Sequence, residues 1–386
     1  AAAEIRPLGV GINLLPHASK TLCGLRLEDG LRERAVETRE NLFYTRHGQR
    51  IFGEPCGRHA GFDWPQFSIH RGDLHLLLLE TARQRLGDDR VLLGHRCTGL
   101  DQDGGAVTAR FARDSGSGTA DSARGDILIG CDGFHSAVRK QFYPDEPAAV
   151  YGGINLWRGV TRAEPFLTGA SVARAGSLKT GKFLIYPIRN DIDGAGRQLI
   201  NWAAEIESDT RAPNDWNTPG RMEDFFHLFE DWHFDWLDIP ALIRNADMIL
   251  EYPMVDRDPL PRWTFGRATL LGDAAHPMYP RGSNGAGQAI LDARALSDAL
   301  AANADVEAAL AAYDGVRVGA TAEVVRTNRT TPPDAILKEV CERTGDKPFA
   351  RIEDVISADE MAAITNRYKK VAGYDRQSLA AKTAAG

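Results

Sequence analysis

The chain has 386 residues, 43% of them hydrophobic and 26% charged, with a formal net charge of -7. That length holds two domains or one large one around a sizeable core. The acidic balance argues against nucleic acid or an anionic membrane surface as the main partner. No apolar run approaches the ~18 residues that a membrane-spanning helix needs.

Taken in chain order, Ala1 to Glu4 leads into a charged, Pro-containing segment with no secretory pattern. Gly9-Val10-Gly11-Ile12-Asn13-Leu14 carries two glycines but is not a dinucleotide fingerprint, which needs strand, Gly-x-Gly-x-x-Gly turn and helix in that order. Residues 14 to 38 read as a helix and its exit. Leu42 to Thr45 and Arg50 to Phe52 flank His47-Gly48-Gln49, a hairpin signal. Leu74 to Leu86 reads as a helix ended by Gly87. Val91 to Ile129 reads as short strands, with a turn at Asp114 to Gly118.

From Tyr151 to Pro261 the pattern changes. Ile154 to Val160, Lys182 to Ile188 and Gln198 to Ala203 alternate apolar and polar residues, as strands of one antiparallel sheet do. Helical segments are predicted around Met222 to Trp232 and Trp236 to Asn245. An apolar strand, Ala268 to Leu271, then runs into Asp273, a Gly/Pro-rich loop and a long Ala/Leu helix from Gly285. A mostly helical piece follows Thr331-Pro332-Pro333, and Ser378 to Gly386 reads as a frayed tail.

The five cysteines, Cys23, Cys56, Cys97, Cys131 and Cys341, are widely spaced and odd in number. They fit free thiols in the reducing cytoplasm, and no ligand spacing points to a metal. Cys131 reads as a small residue packed under the Asp132-Gly133 turn.

The stretch from Leu270 to Ala289 carries the chemistry. A carboxylate at a strand end, Asp273, grips hydroxyls, and a helix N-terminus at Gly285, Ala286 and Gly287 offers free N–H groups to an anion or an electron-rich ring. The two stand a dozen residues apart, about one cofactor's reach at ~3.3 Å per residue of extended chain. A flavin, with a polyol chain at one end and a reducible ring at the other, suits that pair.

The segment Gly272-Asp273-Ala274-Ala275-His276-Pro277 through Gly285-Ala286-Gly287 resembles the second FAD-binding motif of the single-component flavin monooxygenases, the para-hydroxybenzoate hydroxylase family. Asp126 to Arg139, with Asp132-Gly133 at its centre, resembles the family's Asp-Gly motif. Ser68 to Leu74 is similar to the segment whose Arg, here Arg71, reaches FAD. The order and spacing match along essentially the whole chain. Glu4 to Asn13 and Tyr252 to Leu260 look closest to the phenazine-modifying branch.

The resemblance implies an α/β fold: a parallel-sheet FAD/NAD(P)-binding domain (1-40, 66-150, 262-330) split by an antiparallel-sheet substrate domain (41-65, 151-261), with a helical segment at 331-386. It implies FAD as cofactor, bound by Arg6, Arg71, Asp132, Gly133, Asp273, Pro280, Gly285, Ala286 and Gly287. NAD(P)H is the implied co-substrate. Pro280, Gly285 and Ala286 would lie at the reactive edge of the ring. Reduced flavin in the family forms a C4a-hydroperoxide with O2 and hydroxylates an aromatic or heteroaromatic molecule. Tyr44, Trp157, Arg158, Tyr186 and Trp202 are the candidates for holding it, Arg158 through a carboxylate. Arg139 serves a phosphate or a surface ion pair, and His276 reads as structural.

The family opens with a strand, a Gly-x-Gly-x-x-Gly turn, a helix and a ribose-binding Glu, none of which precedes Ala1 here. The expectation is that about thirty residues, one βαβ start, are missing. A monomer or homodimer is expected. The alternatives are a flavoprotein of the same fold that inserts no oxygen, and a truncated binding protein without turnover.

Overall fold

The computed structural model describes residues 4–5, 9–113, 121–211 and 218–384. Arg6 and the predicted turn at Asp114 to Gly118 lie outside them.

The first described element is a strand, β1 (Gly11–Leu14), which reaches into the start of the helix read from residue 14. Helix α1 (Pro16–Gly24) opens on a proline, whose fixed φ and missing N–H suit a first helical position. Helix α2 (Glu28–Arg34) and strand β2 (Ala35–Glu37) follow. Next come β3 (Glu40–Tyr44) and β4 (Arg50–Pro55), the expected hairpin. Strand β5 (Phe67–His70) runs directly into α3 (Arg71–Leu86). It pairs antiparallel with both β1 and β2. Strands β6 (His95–Gln102), β7 (Val107–Arg113) and β8 (Asp121–Gly125) form an antiparallel meander. Strand β9 (Leu128–Gly130) and α4 (Ala137–Phe142) complete this part.

A seven-stranded sheet dominates the middle of the chain. It is built from β10 (Val150–Ala163), β11 (Ser171–Ser177), β12 (Gly181–Arg189), β13 (Gln198–Glu207) and, after the small hairpin β14 (His233–Phe234) and β15 (Leu237–Asp238) and helix α5 (Ile239–Arg244), β16 (Ala246–Asp256). The order is β16-β10-β13-β12-β11-β3-β4, antiparallel except for the β11–β3 pair. The predicted helix at Met222 to Trp232 is instead two short 3-10 turns, Met222–Asp224 and Phe226–Leu228. There Phe225, Phe229 and Trp232 point into the sheet. Their spacing mimics a helical face because all three pack on one surface.

Residues on a strand alternate faces, and directly opposed antiparallel partners share a face. Trp157 opposes Ala204, Gly159 opposes Trp202, and Phe183 opposes Ala204. This face carries Leu42, Tyr44, Trp157, Phe183, Ile185, Ile200 and Trp202 against Phe225, Phe229, Trp232, Phe234, Ile239 and Ile243. Gly159 is needed here: a Cβ would stand 2.3 Å from the Trp202 ring. The opposite face presents Val160, Val172, Tyr186 and Ile188 to Val10 and β1.

Strand β17 (Ala268–Leu270) pairs parallel with β9. Helix α6 (Gly285–Ala302) and helix α7 (Val306–Thr330) pack behind this pair with Leu270, Leu296, Leu310 and Tyr313 in the core. Helices α8 (Ala335–Thr344), α9 (Ala358–Ala372) and α10 (Arg376–Ala384) close the chain. α8 and α9 cover Phe43 and Ile51. The tail read as frayed from Ser378 is thus helical as far as Ala384. Among the described residues no helix is long and apolar enough to cross a membrane.

Candidate active site

Parallel strands β9 and β17 are in register, with Leu128 opposite Ala268 and Gly130 opposite Leu270 at the shared C-terminal edge. Asp132-Gly133 and Gly272-Asp273 therefore leave the sheet side by side. In open α/β sheets ligands bind in the crevice beyond such carboxyl ends. A cavity of about 460 Å³ lies there. Its walls include Arg71, Gly133, Gly272, Asp273, Pro280 and Ala286 on one side, and Leu156, Arg158, Leu184, Tyr186, Ala203 and Glu205 of the sheet on the other.

Asp273 opens onto this cavity, and among the described residues none hydrogen-bonds its carboxylate. Burial in the cleft raises its pKa, with His276 and Arg71 pulling the other way. Gly272 makes the turn possible at φ +63°. The turn is held from behind by Asp292, a fully buried residue of α6. Its Oδ2 accepts the Gly272 N–H at 3.1 Å and His276 Nε2 at 2.5 Å, and its Oδ1 accepts Arg317 Nε at 2.7 Å. Burial opposes the Asp292 charge, but His276 and Arg317 outweigh it and hold the carboxyl below its ordinary range. His276, its ring tilted 40° against Trp263 at 5.2 Å, is structural as the sequence suggested.

Asn284 precedes α6 but does not cap it, because its Oδ1 is taken by His17 Nε2 (2.9 Å) and Gln288 Nε2 (3.2 Å). The N–H groups of the first turn stay available to the cavity, which Gly285 and Ala286 line. Gly287 does not line it: a Cβ there would stand 3.0 Å from His17, so this glycine serves close packing of α1 on α6. Asp132 does not line it either. Its carboxylate accepts the N–H groups of Ala137 (2.7 Å) and Val138 (3.3 Å) and the Ser136 hydroxyl, and so fixes the start of α4. Gly133, at φ +77°, faces the cavity with no heavy atom of the described residues within 4 Å of a Cβ position. Arg71 lines the cavity, its guanidinium lying against Gly9. Arg139 holds neither a phosphate nor a surface partner. It is buried, pairs with Glu146 and donates to the carbonyls of Ala274 (3.1 Å) and Ala275 (2.8 Å), tying the two motifs together. Cys131, expected under the turn, instead lines the cavity, where burial and the charges of Asp132 and Asp292 push its thiol up to about 11.

The five aromatic and basic substrate candidates separate by face. Arg158 and Tyr186 line the cavity. Tyr44, Trp157 and Trp202 are buried on the far side of the sheet and do not reach it. Trp157 and Arg158 are consecutive on β10, so strand geometry alone forbids both from facing one ligand. The Arg158 Nη2 (2.7 Å) and the Tyr186 hydroxyl (2.9 Å) both donate to the Gly11 carbonyl. The Gly11 N–H donates to Asn201 Oδ1 at 2.7 Å. A Cβ on Gly11 would stand 2.6 Å from Ile188, so only glycine lets β1 dock this closely. Burial pushes the Tyr186 pKa up, and Arg158 opposes the shift.

The comparisons with known proteins decide the family. A sequence family described as an FAD binding domain matches residues 23–159 and 251–328. Phenazine 1,6-dicarboxylic acid hydroxylase PhzS of Lysobacter antibioticus is 39% identical over 374 residues, 96% of this chain and 89% of that protein. The chain belongs to the single-component FAD-dependent monooxygenases. A second relative, the 3-amino-4-hydroxybenzoate 2-monooxygenase PtmB3 of Streptomyces platensis, is 34% identical over 83% of this chain and 77% of its own length. Among solved structures, Klebsiella pneumoniae HpxO complexed with FAD and uric acid superposes with a TM-score of 0.76. It covers 98% of this chain and 90% of that one at 22% identity, a likeness of fold.

This flavoprotein monooxygenase uses FAD as cofactor and NAD(P)H as co-substrate, and its activity is aromatic hydroxylation. The cleft fits the cofactor on its own evidence. It joins a carboxylate at a strand end without a hydrogen-bond partner among the described residues, an uncapped helix N-terminus a loop away, and a glycine wall open at Gly133.

Proposed function

We propose that the substrate is an aromatic carboxylic acid, hydroxylated with one atom of O2 in the cleft between the sheet and the Pro280 loop. One observation carries the reading: Arg158. Its Nη2 is committed to the Gly11 carbonyl, while its buried Nε has no hydrogen-bond partner among the described residues. A guanidinium held on one side and unsatisfied on the other is prepared for a carboxylate. The names of the two curated relatives, a phenazine dicarboxylic acid hydroxylase and an aminohydroxybenzoate monooxygenase, support the same class.

The remaining roles follow from position. Asp273 is the group to hold the polyol chain of FAD, with Arg71 beside it for the phosphate or ribityl region. The N–H groups of Gly285 and Ala286 would stabilise negative charge at the ring's edge by about 0.3–2 kcal/mol. Asp132 and Arg139 act by shaping the two turns, and Gly287 by letting α1 pack on α6. Pro280 has no N–H to give, and with Met278, Leu156 and Leu184 it excludes water from the reacting edge. Bound FAD, once reduced by NAD(P)H, supplies the oxygen-activating chemistry. The seven-stranded sheet is the substrate-facing unit, and the parts around β9, β17 and α6 are the cofactor-facing unit.

The test is turnover of phenazine-1,6-dicarboxylate and 3-amino-4-hydroxybenzoate by FAD-loaded protein under ¹⁸O2. Substrate-stimulated NAD(P)H oxidation with one ¹⁸O in the product is expected. NAD(P)H oxidation that yields a product without ¹⁸O would replace oxygen insertion by plain oxidoreduction.

A further inference from the structure

Resting on the aromatic-acid reading, we infer that Glu205 sets specificity in this cleft by accepting a hydrogen bond from an O–H or N–H group of the substrate. The cavity face of the sheet is a grid fixed by register. Leu156, Glu205 and Lys182 stand opposite one another in one row, and Arg158, Ala203 and Leu184 in the next. Glu205 lines the cavity and is only 5% exposed. Around it the lining is apolar: Leu156, Leu184, Ala203 and Met278. A carboxylate in such a place is costly unless it is paired and hydrogen-bonded.

Its partner is shared. Lys182, 3% exposed, has its Nζ 2.6 Å from Glu205 Oε2, but it also donates to Asp334. Asp334 has the stronger claim. Arg281 lies 3.5 Å away, and Lys182, Arg281 and Arg174 together overcome burial and hold the Asp334 carboxyl below its usual range. Among the described residues no hydrogen bond reaches either carboxylate oxygen of Glu205, the Lys182 contact at Oε2 being an ion pair without hydrogen-bond direction. A carboxylate without a hydrogen bond at the wall of a ligand cavity calls for a donor from the ligand.

Beyond its ion pair with Lys182, the Glu205 carboxylate keeps acceptor capacity for a donor from the cleft. The spacing gives Glu205 its use. Strand rise and interstrand distance put the backbones of Glu205 and Arg158 roughly 8 Å apart on adjacent strands. An aromatic acid can bridge them, with its carboxylate at Arg158 and a hydroxyl, amino or ring N–H group at Glu205. An acid lacking that donor would desolvate Glu205 and give nothing back, which is how a polar site rejects an analogue.

The experiment measures dissociation constants on FAD-loaded protein, read from the flavin absorbance change. Its probes are 4-hydroxybenzoate, 4-methoxybenzoate and benzoate. The wild type is expected to bind the hydroxy acid at least ~10-fold more tightly than the methoxy acid. Glu205→Leu should bring the two within about 2-fold by weakening only the hydroxy acid. Glu205→Gln, isosteric and still an acceptor, should keep part of the preference. Equal weakening of all three acids would mean a merely structural role. A preference retained in Glu205→Leu, or absent from the wild type, also overturns the inference. If the wild type binds none of the three, the aromatic-acid reading itself has failed, which is a different result.

Discussion

Asp273 offers the sharpest test of the cofactor assignment, because a ligand-binding role and a structural role predict opposite effects on the empty protein. An aspartate that merely stabilised the turn would strengthen the fold. Here the folded state raises the pKa of Asp273 above its ordinary value of 3.8 through burial. A group raised on folding contributes stability that is fully present below its unfolded pKa and is lost as pH rises through its folded pKa. At neutral pH its charge is therefore a burden on the fold, and Asp273→Ala should leave the melting temperature of the apoprotein unchanged or higher. FAD affinity should move the other way. A hydrogen bond to a charged acceptor contributes about 1.5–3 kcal/mol, so losing one should weaken FAD binding by about 10- to 150-fold. Flavin fluorescence quenching gives the affinity, and urea melts of apoprotein from pH 4 to pH 8 give the stability. An apoprotein several degrees less stable that still binds FAD as tightly as the wild type would refute the reasoning and make Asp273 a turn residue.

Three other outcomes are expected. Trp202→Ala should cost about 3–5 kcal/mol in urea unfolding, because the ring is fully buried, while ligand affinity in the cleft changes little; a selective loss of substrate affinity would put Trp202 on the wrong face. Asp292→Ala strands the buried Arg317 and frees the Gly272 turn. It should cost about 3–5 kcal/mol and weaken FAD binding as a consequence, which calorimetry and flavin titration together would read. Cys131, with its pKa raised to about 11, should react with iodoacetamide at pH 8 about two orders of magnitude more slowly than a free thiol. Peptide mapping of the alkylated protein measures this, and a fast-labelled Cys131 would contradict the electrostatics.

Much of the candidate site is legible in the chain because it depends on local order. A strand, a glycine turn, a carboxylate and a helix start are consecutive from Ala268 to Gly285, and the structure keeps them consecutive around the cavity. The residues that brace them are far apart in sequence and gave no such signal. Asp292 looks like one more surface charge on an Ala/Leu helix until Arg317, His276 and Gly272 converge on it. Lys182 and Glu205 sit near strand ends, where a charge ordinarily reaches water. Only Asp334, more than a hundred residues later, makes their burial possible.

The sequence by itself determined five of the seven strands of the central sheet, missing β11 and β16, together with the order of the flavin motifs and the cofactor they point to. It also determined that Trp157 and Arg158 face opposite ways, since alternation is a property of any strand. It left undecided which of them meets the ligand. In a half-exposed sheet the polar residues would have marked the outer face. Here both faces are buried, one under Phe225, Phe229 and Trp232 and the other under β1, so the usual contrast is gone. Tertiary packing made the choice, because the aromatic cover needs Trp157 and Trp202 and the docking of Gly11 needs Arg158, Tyr186 and Asn201.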